Sequence, residues 1–276
     1  MVNGQYRVVN KLGQGGYGSV YHVRQLDTNA SVALKVERAG RDVLRNEFKV
    51  LKYLGERGAR VPSVYDYWKL GNHSAMTMDL KGDNLKSLAR TANGTLSVVM
   101  MSFLLVQMLG LLRQVHRSGY IHRDIRPQNI VCDMYMGHQD CQKILLIDFG
   151  LARKYRDKNG VHRPPRLLIK RQSRRDDLEY LTYTVAKLLK GTLPWSHLRT
   201  KNTANRERIA WLKANTTQAL FLGYPEEFSH FFKYVRGLSY YEKPKYSYWQ
   251  KAAKTEEGGQ YPYSAPTFGL DSLVKD

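Results

Sequence analysis

The sequence predicts an α+β fold in two lobes: a small antiparallel β-sheet lobe with one helix, then a larger, mainly helical lobe. Three observations lead there. The first third alternates short runs of β-branched and aromatic residues with Gly- and Asp-containing turns. One stretch within it has helical spacing, and after Lys81-Gly82 long helical patterns dominate. A chain of 276 residues, 42% hydrophobic, can bury a substantial core in one large domain or in two lobes sharing a cleft.

The elements follow in order. Tyr6 to Leu12, Ser19 to Val23 and Ser31 to Val36 read as a strand meander. Val43 to Leu54 places Val43, Leu44, Phe48, Leu51 and Leu54 near helical spacing, which predicts an amphipathic helix lying across the sheet. Val64 to Lys69 and Ser74 to Met78 are two further strands. Helices are predicted over Asn84 to Arg90, Leu96 to Ser118, Asp177 to Leu189, Asn202 to Lys213 and Glu226 to Gly237. Between them, Ile130 to Cys132 and Ile144 to Ile147 form a candidate hairpin. From Gln250 the Gly-, Pro- and Ser-containing tail is expected to be loosely held. The boundaries expected are 1–80 and 82–250 for the two lobes, with 251–276 as tail.

Composition narrows the function classes. Forty-four Lys and Arg against 24 Asp and Glu give a formal charge of +20, which favours phosphate-bearing or acidic partners. The basic residues are scattered, with no repeated basic-aromatic module, so no specific nucleic-acid binding is expected. Cys132 and Cys141 are the only cysteines, too few for a disulfide framework, and both thiols are expected to be reduced. No segment is read as reaching the roughly 18 apolar residues of a membrane-spanning helix, and the N-terminus lacks an apolar leader core. The expectation is a soluble cytoplasmic protein, with the nucleus also open to it, monomeric and without membrane association.

Gly13-Gln14-Gly15-Gly16-Tyr17-Gly18-Ser19-Val20 matches GxGxxGxV, in which glycines let backbone approach phosphates without Cβ interference. Taken alone it also fits a Rossmann turn or a plain hairpin. It lies between strands, however, and Lys35 follows on the next one. A lone strand lysine is usually a solvated residue; this one has a candidate partner in Glu47, and such a pair would aim the ammonium at the α- and β-phosphates of a nucleotide. HRDIRPQN (122–129) is more specific. Asp124 could accept the proton of an attacking hydroxyl, and Asn129 could hold a metal ion. Asp148-Phe149-Gly150 follows, its carboxylate suited to a hard cation such as Mg²⁺.

With these motifs on one chain in this order, the sequence resembles a eukaryotic-type protein kinase across roughly residues 5 to 250. Within that superfamily it is similar to the casein kinase 1 group, especially its tau-tubulin kinase-like branch. The residues that carry this are VALKVE (32–37), DFGLARKYRD (148–157), RPPR (163–166), SRRDDLE (173–179), LPW (193–195), GYPEEF and KPKYSYW. The resemblance implies a bilobed kinase fold, ATP with Mg²⁺, and transfer to Ser or Thr of a protein substrate. It implies catalytic roles for Asp124, Arg126, Lys35 and Asn129, with metal on Asn129 and Asp148. The ATP site would comprise Leu12, Gly13, Gly15, Gly18, Lys35 and Glu47, with Val20, Ala33 and Val131 as an apolar sandwich for adenine. Met78 would be the gatekeeper, and Asp79, Leu80 and Lys81 the hinge. Ordinary core packing explains the apolar members equally.

Two departures matter. Arg126 stands where the family usually has Lys beside the transferring phosphate. Its planar fork is not a point-like ammonium, and a subset of tyrosine kinases shares it, so tyrosine specificity stays open. The second is the run RPPRLLIKRQSRRDD (163–177). Against the resembled group, the activation segment is short by roughly fifteen residues, and the missing part would position the substrate. A nucleotide-binding pseudokinase or scaffold is therefore an alternative, as is a product of altered splicing. Asp177 matches the family's helix-anchoring Asp, and would also suit a helix N-terminus. Glu179 and Tyr180 stand where the group has Glu-Ser. Arg153, Lys154, Arg166, Lys170, Arg171, Arg174 and Arg175 could attract an acidic or phosphate-primed substrate, or form a solvated basic loop.

Overall fold

A computed structural model of the chain describes residues 1–16, 18–38, 42–133, 141–165, 172–199 and 202–254. It divides into two compact units, Met1–Asp83 with Ile130–Ala152, and Asn84–Asn129 with the described residues from Arg153 onward. The α+β class and the antiparallel sheet with one helix are as the sequence predicts.

In the first unit, β1 (Tyr6–Gly15), β2 (Gly18–Gln25), β3 (Ser31–Arg38), β4 (Val64–Leu70) and β5 (His73–Asp79) form one antiparallel sheet in the order β1-β2-β3-β5-β4. Side chains alternate between faces along a strand, and Val32 and Leu34 of β3 share a buried cluster with Tyr6, Val23 and Ala75. The Tyr6 ring stacks on Trp68 with centroids 5.8 Å apart, and its hydroxyl donates to Asp66 at 2.7 Å. Helix α1 (Val43–Gly55) buries Leu44, Glu47, Leu51 and Leu54, one helical stripe. No side chain caps its N-terminus; instead the Leu44 amide donates to the Glu37 carboxylate at 2.8 Å, satisfying one of the open donors of the first turn.

The hairpin of β7 (Ile130–Cys132) and β8 (Ile144–Leu146) also belongs to this unit. It corrects the cysteine expectation: Cys132 and Cys141 are joined in a disulfide, with Cα atoms 5.1 Å apart. Antiparallel pairing returns the chain beside itself, which brings two residues nine apart within bonding range. Composition alone carries no such information.

In the second unit, α2 (Leu85–Thr91) and α3 (Val98–Arg117) are capped by Asn84 and Ser97, which accept from Ser87 N–H and Met100 N–H. β6 (Tyr120–Ile121) pairs with β9 (Arg153–Lys154). α4 (Arg174–Lys190) begins three residues before the predicted start, because the Asp176 carboxylate accepts from Ser173 N–H at 2.7 Å and places the boundary there. α5 (Thr203–Asn215) buries no residue. α6 (Glu226–Gly237) buries Phe228, Phe231, Phe232 and Val235 at helical spacing and has the predicted limits.

Two expectations about this unit are corrected. By length and composition α3 could cross a membrane. It is the central helix of the unit, burying Met101, Leu104, Leu105, Met108, Leu109 and Leu112, and its apolar character is explained by that packing. α7 (Tyr246–Ala252) lies where loose tail was expected from residue 250. It packs on α3, and its Trp249 also lies against Phe231 and Tyr234 of α6. The remainder of the tail, 255–276, lies outside the described residues.

Candidate active site

The candidate residues fall into two groups, one in each unit. In the first unit, strand register does the placing. Val20 pairs with Lys35, Lys35 with Met76, and Ala33 with Met78. Because cross-strand partners and residues two apart share a face, Val20, Ala33, Lys35, Met76 and Met78 line one side of the sheet. Val131 is buried in β7, and Leu12 is about half exposed on β1.

Lys35 Nζ lies 2.6 Å from Glu47 Oε2 and 2.9 Å from Asp148 Oδ1. Burial by itself would favour the neutral amine, but the two carboxylates outweigh it and push Lys35 above its ordinary value. Burial pushes Glu47 upward as well, against the pull of Lys35. Of this pair the charged ammonium is the secure assignment, because two carboxylates face one amine.

The Asp148-Phe149-Gly150 turn is fastened to α1. Asn46 Nδ2 donates to the carbonyls of Gly150 at 3.0 Å and Ala152 at 3.3 Å. A Cβ on Gly150 would come within 2.5 Å of Val43 Cγ1, so glycine permits this close approach. Phe149 is fully buried, and Asp148 has left-handed backbone, φ 65°, a conformation that persists only where neighbours hold it. Asn46 was not singled out by motif. Its signal is positional, next to Glu47 on the same helix.

The glycine turn joins β1 to β2 as a hairpin, which removes the Rossmann alternative, since no helix begins there. A Cβ on Gly13 or Gly15 would meet nothing within 4 Å, whereas one on Gly18 would lie 2.0 Å from the Val36 carbonyl oxygen. Gly18 is therefore required by the hairpin, while Gly13 and Gly15 leave backbone open to a phosphate. The hinge side chains are engaged within the protein. Asp79 accepts from Ser63 N–H and the Tyr65 hydroxyl, and Lys81 pairs with Asp79 at 3.2 Å and Asp133 at 2.9 Å. Leu80 is partly buried. No group of three or more His, Cys, Asp or Glu able to hold a metal exists among the described residues. The Asp148 carboxylate, 2.9 Å from Lys35 Nζ, is a hard oxygen donor of the type Mg²⁺ takes, one or two carboxylates being completed by phosphate and water oxygens.

In the second unit, the catalytic-loop candidates are tightly held. Asn129 Nδ2 donates to the Asp124 carbonyl at 2.9 Å and to Asp124 Oδ2 at 2.8 Å. Arg126, half exposed, brings Nε to 3.2 Å from the same Oδ2. The whole loop hangs on Asp177, 1% exposed. Its Oδ2 accepts from His122 N–H at 2.7 Å and contacts His116 Nε2 at 2.8 Å, and its Oδ1 accepts from Arg123 N–H at 2.7 Å. Burial alone would raise Asp177, but these hydrogen bonds, that from His116 foremost, hold it below the usual carboxylate range. Arg123, at φ 75°, extends Nε to Gln172 Oε1 at 2.6 Å, and Gln172 Nε2 donates to the Tyr180 hydroxyl at 3.1 Å. The departure at Tyr180 thus has a structural use, and Gln172 is a second residue that motif reading missed.

The basic residues expected to crowd this region separate. Arg153 and Lys154 are exposed on β9, while Arg166, Lys170 and Arg171 lie outside the described residues. Arg175 Nε lies 3.9 Å from Asp176 Oδ2. Arg174 is buried, which corrects its assignment to a solvated loop: as first residue of α4 it turns inward over Tyr155.

A glycine hairpin, a lysine held by two carboxylates, and an aspartate fixed beside an asparagine define a protein equipped for phosphoryl chemistry on a nucleotide. The protein kinase domain family's model matches residues 6–236, and the chain belongs to that family. Membership brings with it ATP, a divalent metal and a protein substrate as the family's general requirements.

Proposed function

We propose that this chain is an active serine/threonine kinase of the casein kinase 1 type, nearest its tau-tubulin kinase-like branch, using ATP with Mg²⁺. The observation that carries this is the assembled Lys35–Glu47–Asp148 group, at 2.6 Å and 2.9 Å, together with Asp124 held by Asn129 at 2.8 Å. Bound Mg-ATP would supply the transferable γ-phosphoryl group, with ADP as the leaving group. Lys35 holds the α- and β-phosphates, oriented by Glu47. The Asp148 carboxylate in the first unit and the Asn129 amide oxygen in the second would each serve as a ligand for Mg²⁺. Asp124 orients the substrate hydroxyl and accepts its proton, with Oδ2 steadied by Asn129 and Arg126. Arg126 keeps a cation near the transferring group; its Nε contact with Asp124 is compatible with that role. Glycines open at 13 and 15, and the apolar Val20, Ala33, Met78 and Val131, support nucleotide binding.

The test is transfer of radiolabelled phosphate to casein. Wild type is expected to phosphorylate serine and threonine, and Asp124→Asn to lose transfer while retaining ATP binding. ATP binding without transfer to any protein substrate would favour the second reading, a pseudokinase or scaffold. One feature supports that alternative: only 25 residues separate Gly150 from Asp176 in the sequence, leaving little chain to position a peptide.

A further inference from the structure

We propose that the second unit carries a separate ligand site: a basic pocket that binds a compact small molecule bearing about three phosphoryl groups. The pocket has a volume of about 540 Å³ and is lined by Arg113, Arg117, Arg156, Arg174, Lys243 and Lys245, with no acidic residue on its wall among the described residues. Four stretches of chain supply these cations: the last turns of α3, the residues after β9, the first residue of α4, and the approach to α7. Among the described residues none of the six has a carboxylate within ion-pair distance, every such pair lying elsewhere.

The second, independent observation is Arg174. It is 7% exposed, yet its partners are neutral: the Tyr241 carbonyl at 2.6 Å, the Tyr155 hydroxyl at 3.5 Å, and the Tyr155 ring face, 5.0 Å from its Cζ. Its Nε has no hydrogen-bond partner among the described residues. A buried cation is normally compensated by an anion, and none of the described residues places a carboxylate within ion-pair distance of Arg174. The proposed phosphoryl transfer uses none of these six residues.

Charge and size choose the ligand. A phosphoryl group carries about −1.5 to −2 at neutral pH, so six cations balance roughly three such groups. The volume lies within the range of small-ligand pockets, about 300–1,000 Å³. The inner wall includes Tyr246 and His116. One ring nitrogen of His116 contacts the Tyr246 hydroxyl and the other Asp177, so the ligand lies against the side chains that hold the catalytic-loop backbone.

Calorimetric titration at fixed ionic strength tests this with two probes, inorganic tripolyphosphate and an inositol trisphosphate, against wild type and the double variant Arg113→Ala/Lys243→Ala. Both substituted residues are exposed, so the variant keeps its fold. Wild type is expected to bind at least one probe with one-to-one stoichiometry, and the double variant to bind it at least tenfold more weakly, with Lys35→Met unchanged. The probe that binds tells whether the phosphates are carried on a chain or on a polyol ring. Equal affinity of double variant and wild type, loss of binding in Lys35→Met, or no binding of either probe at millimolar concentration overturns the proposal. Because the readout is binding at the second unit, it stands or falls independently of kinase activity.

Discussion

Asp177→Asn perturbs the buried carboxylate on which the catalytic-loop backbone hangs. The native side chain serves three groups: the backbone amides of His122 and Arg123 and the ring of His116, at 2.7, 2.7 and 2.8 Å. An amide retains one acceptor oxygen. If that oxygen keeps His122 and His116, the new NH2 faces the Arg123 N–H, donor against donor. One charge-assisted hydrogen bond is lost, about 1.5–3 kcal/mol, and a donor is left without its acceptor, about 1 kcal/mol more. The expected loss is about 3 kcal/mol of unfolding free energy, read by urea denaturation, with faster amide exchange at His122 and Arg123. Because Asp124 follows directly, phosphate transfer should fall by about a hundredfold through misplacement. The same carboxylate sets an acid limb. Its folded pKa is depressed below 3.8, so its contribution is complete above the unfolded value and is lost as pH falls through the folded one. Asp177→Asn should flatten that limb. A stability change below about 0.5 kcal/mol, within the range of an ordinary surface substitution, with unaltered exchange at both amides, would refute the reasoning.

Four further outcomes are expected. Reducing the Cys132–Cys141 bond, which closes a loop of nine residues, should cost about 2.5 kcal/mol by chain entropy; an identical Tm with and without reductant would show that the bond does not contribute. Lys35→Met should abolish the rise in Tm produced by Mg-ATP, because ligand stabilisation depends on binding to the folded state, and an undiminished rise would remove Lys35 from the phosphate site. Gly18→Ala should destabilise by about 1–3 kcal/mol through overpacking, since its Cβ would meet the Val36 carbonyl. Gly13→Ala should leave unfolding unchanged and weaken ATP binding, and equal effects of the two would contradict the roles assigned to them.

Much was legible along the chain because it is periodic. α6 has the limits read from its helical spacing, and β3 alternates Val32 and Leu34, which join the Tyr6 cluster, with Ala33 and Lys35 on the opposite face. The glycine turn, Lys35, Glu47, Asp124, Asn129 and Asp148 were singled out by motif and by their order along the chain, since residue type and interval are properties of the sequence itself. Tertiary structure decided what those intervals do not encode. It brought Cys132 to Cys141, placed Asn46 on the carbonyls of Gly150 and Ala152, tied Arg123 to Gln172, and turned Arg174 inward over Tyr155. α7 is too short to declare itself by period and is held by its packing on α3. The division has one physical cause. Local conformation follows from each residue's neighbours along the chain, whereas burial, pairing and charge compensation depend on groups brought together from distant positions, which only the folded chain specifies.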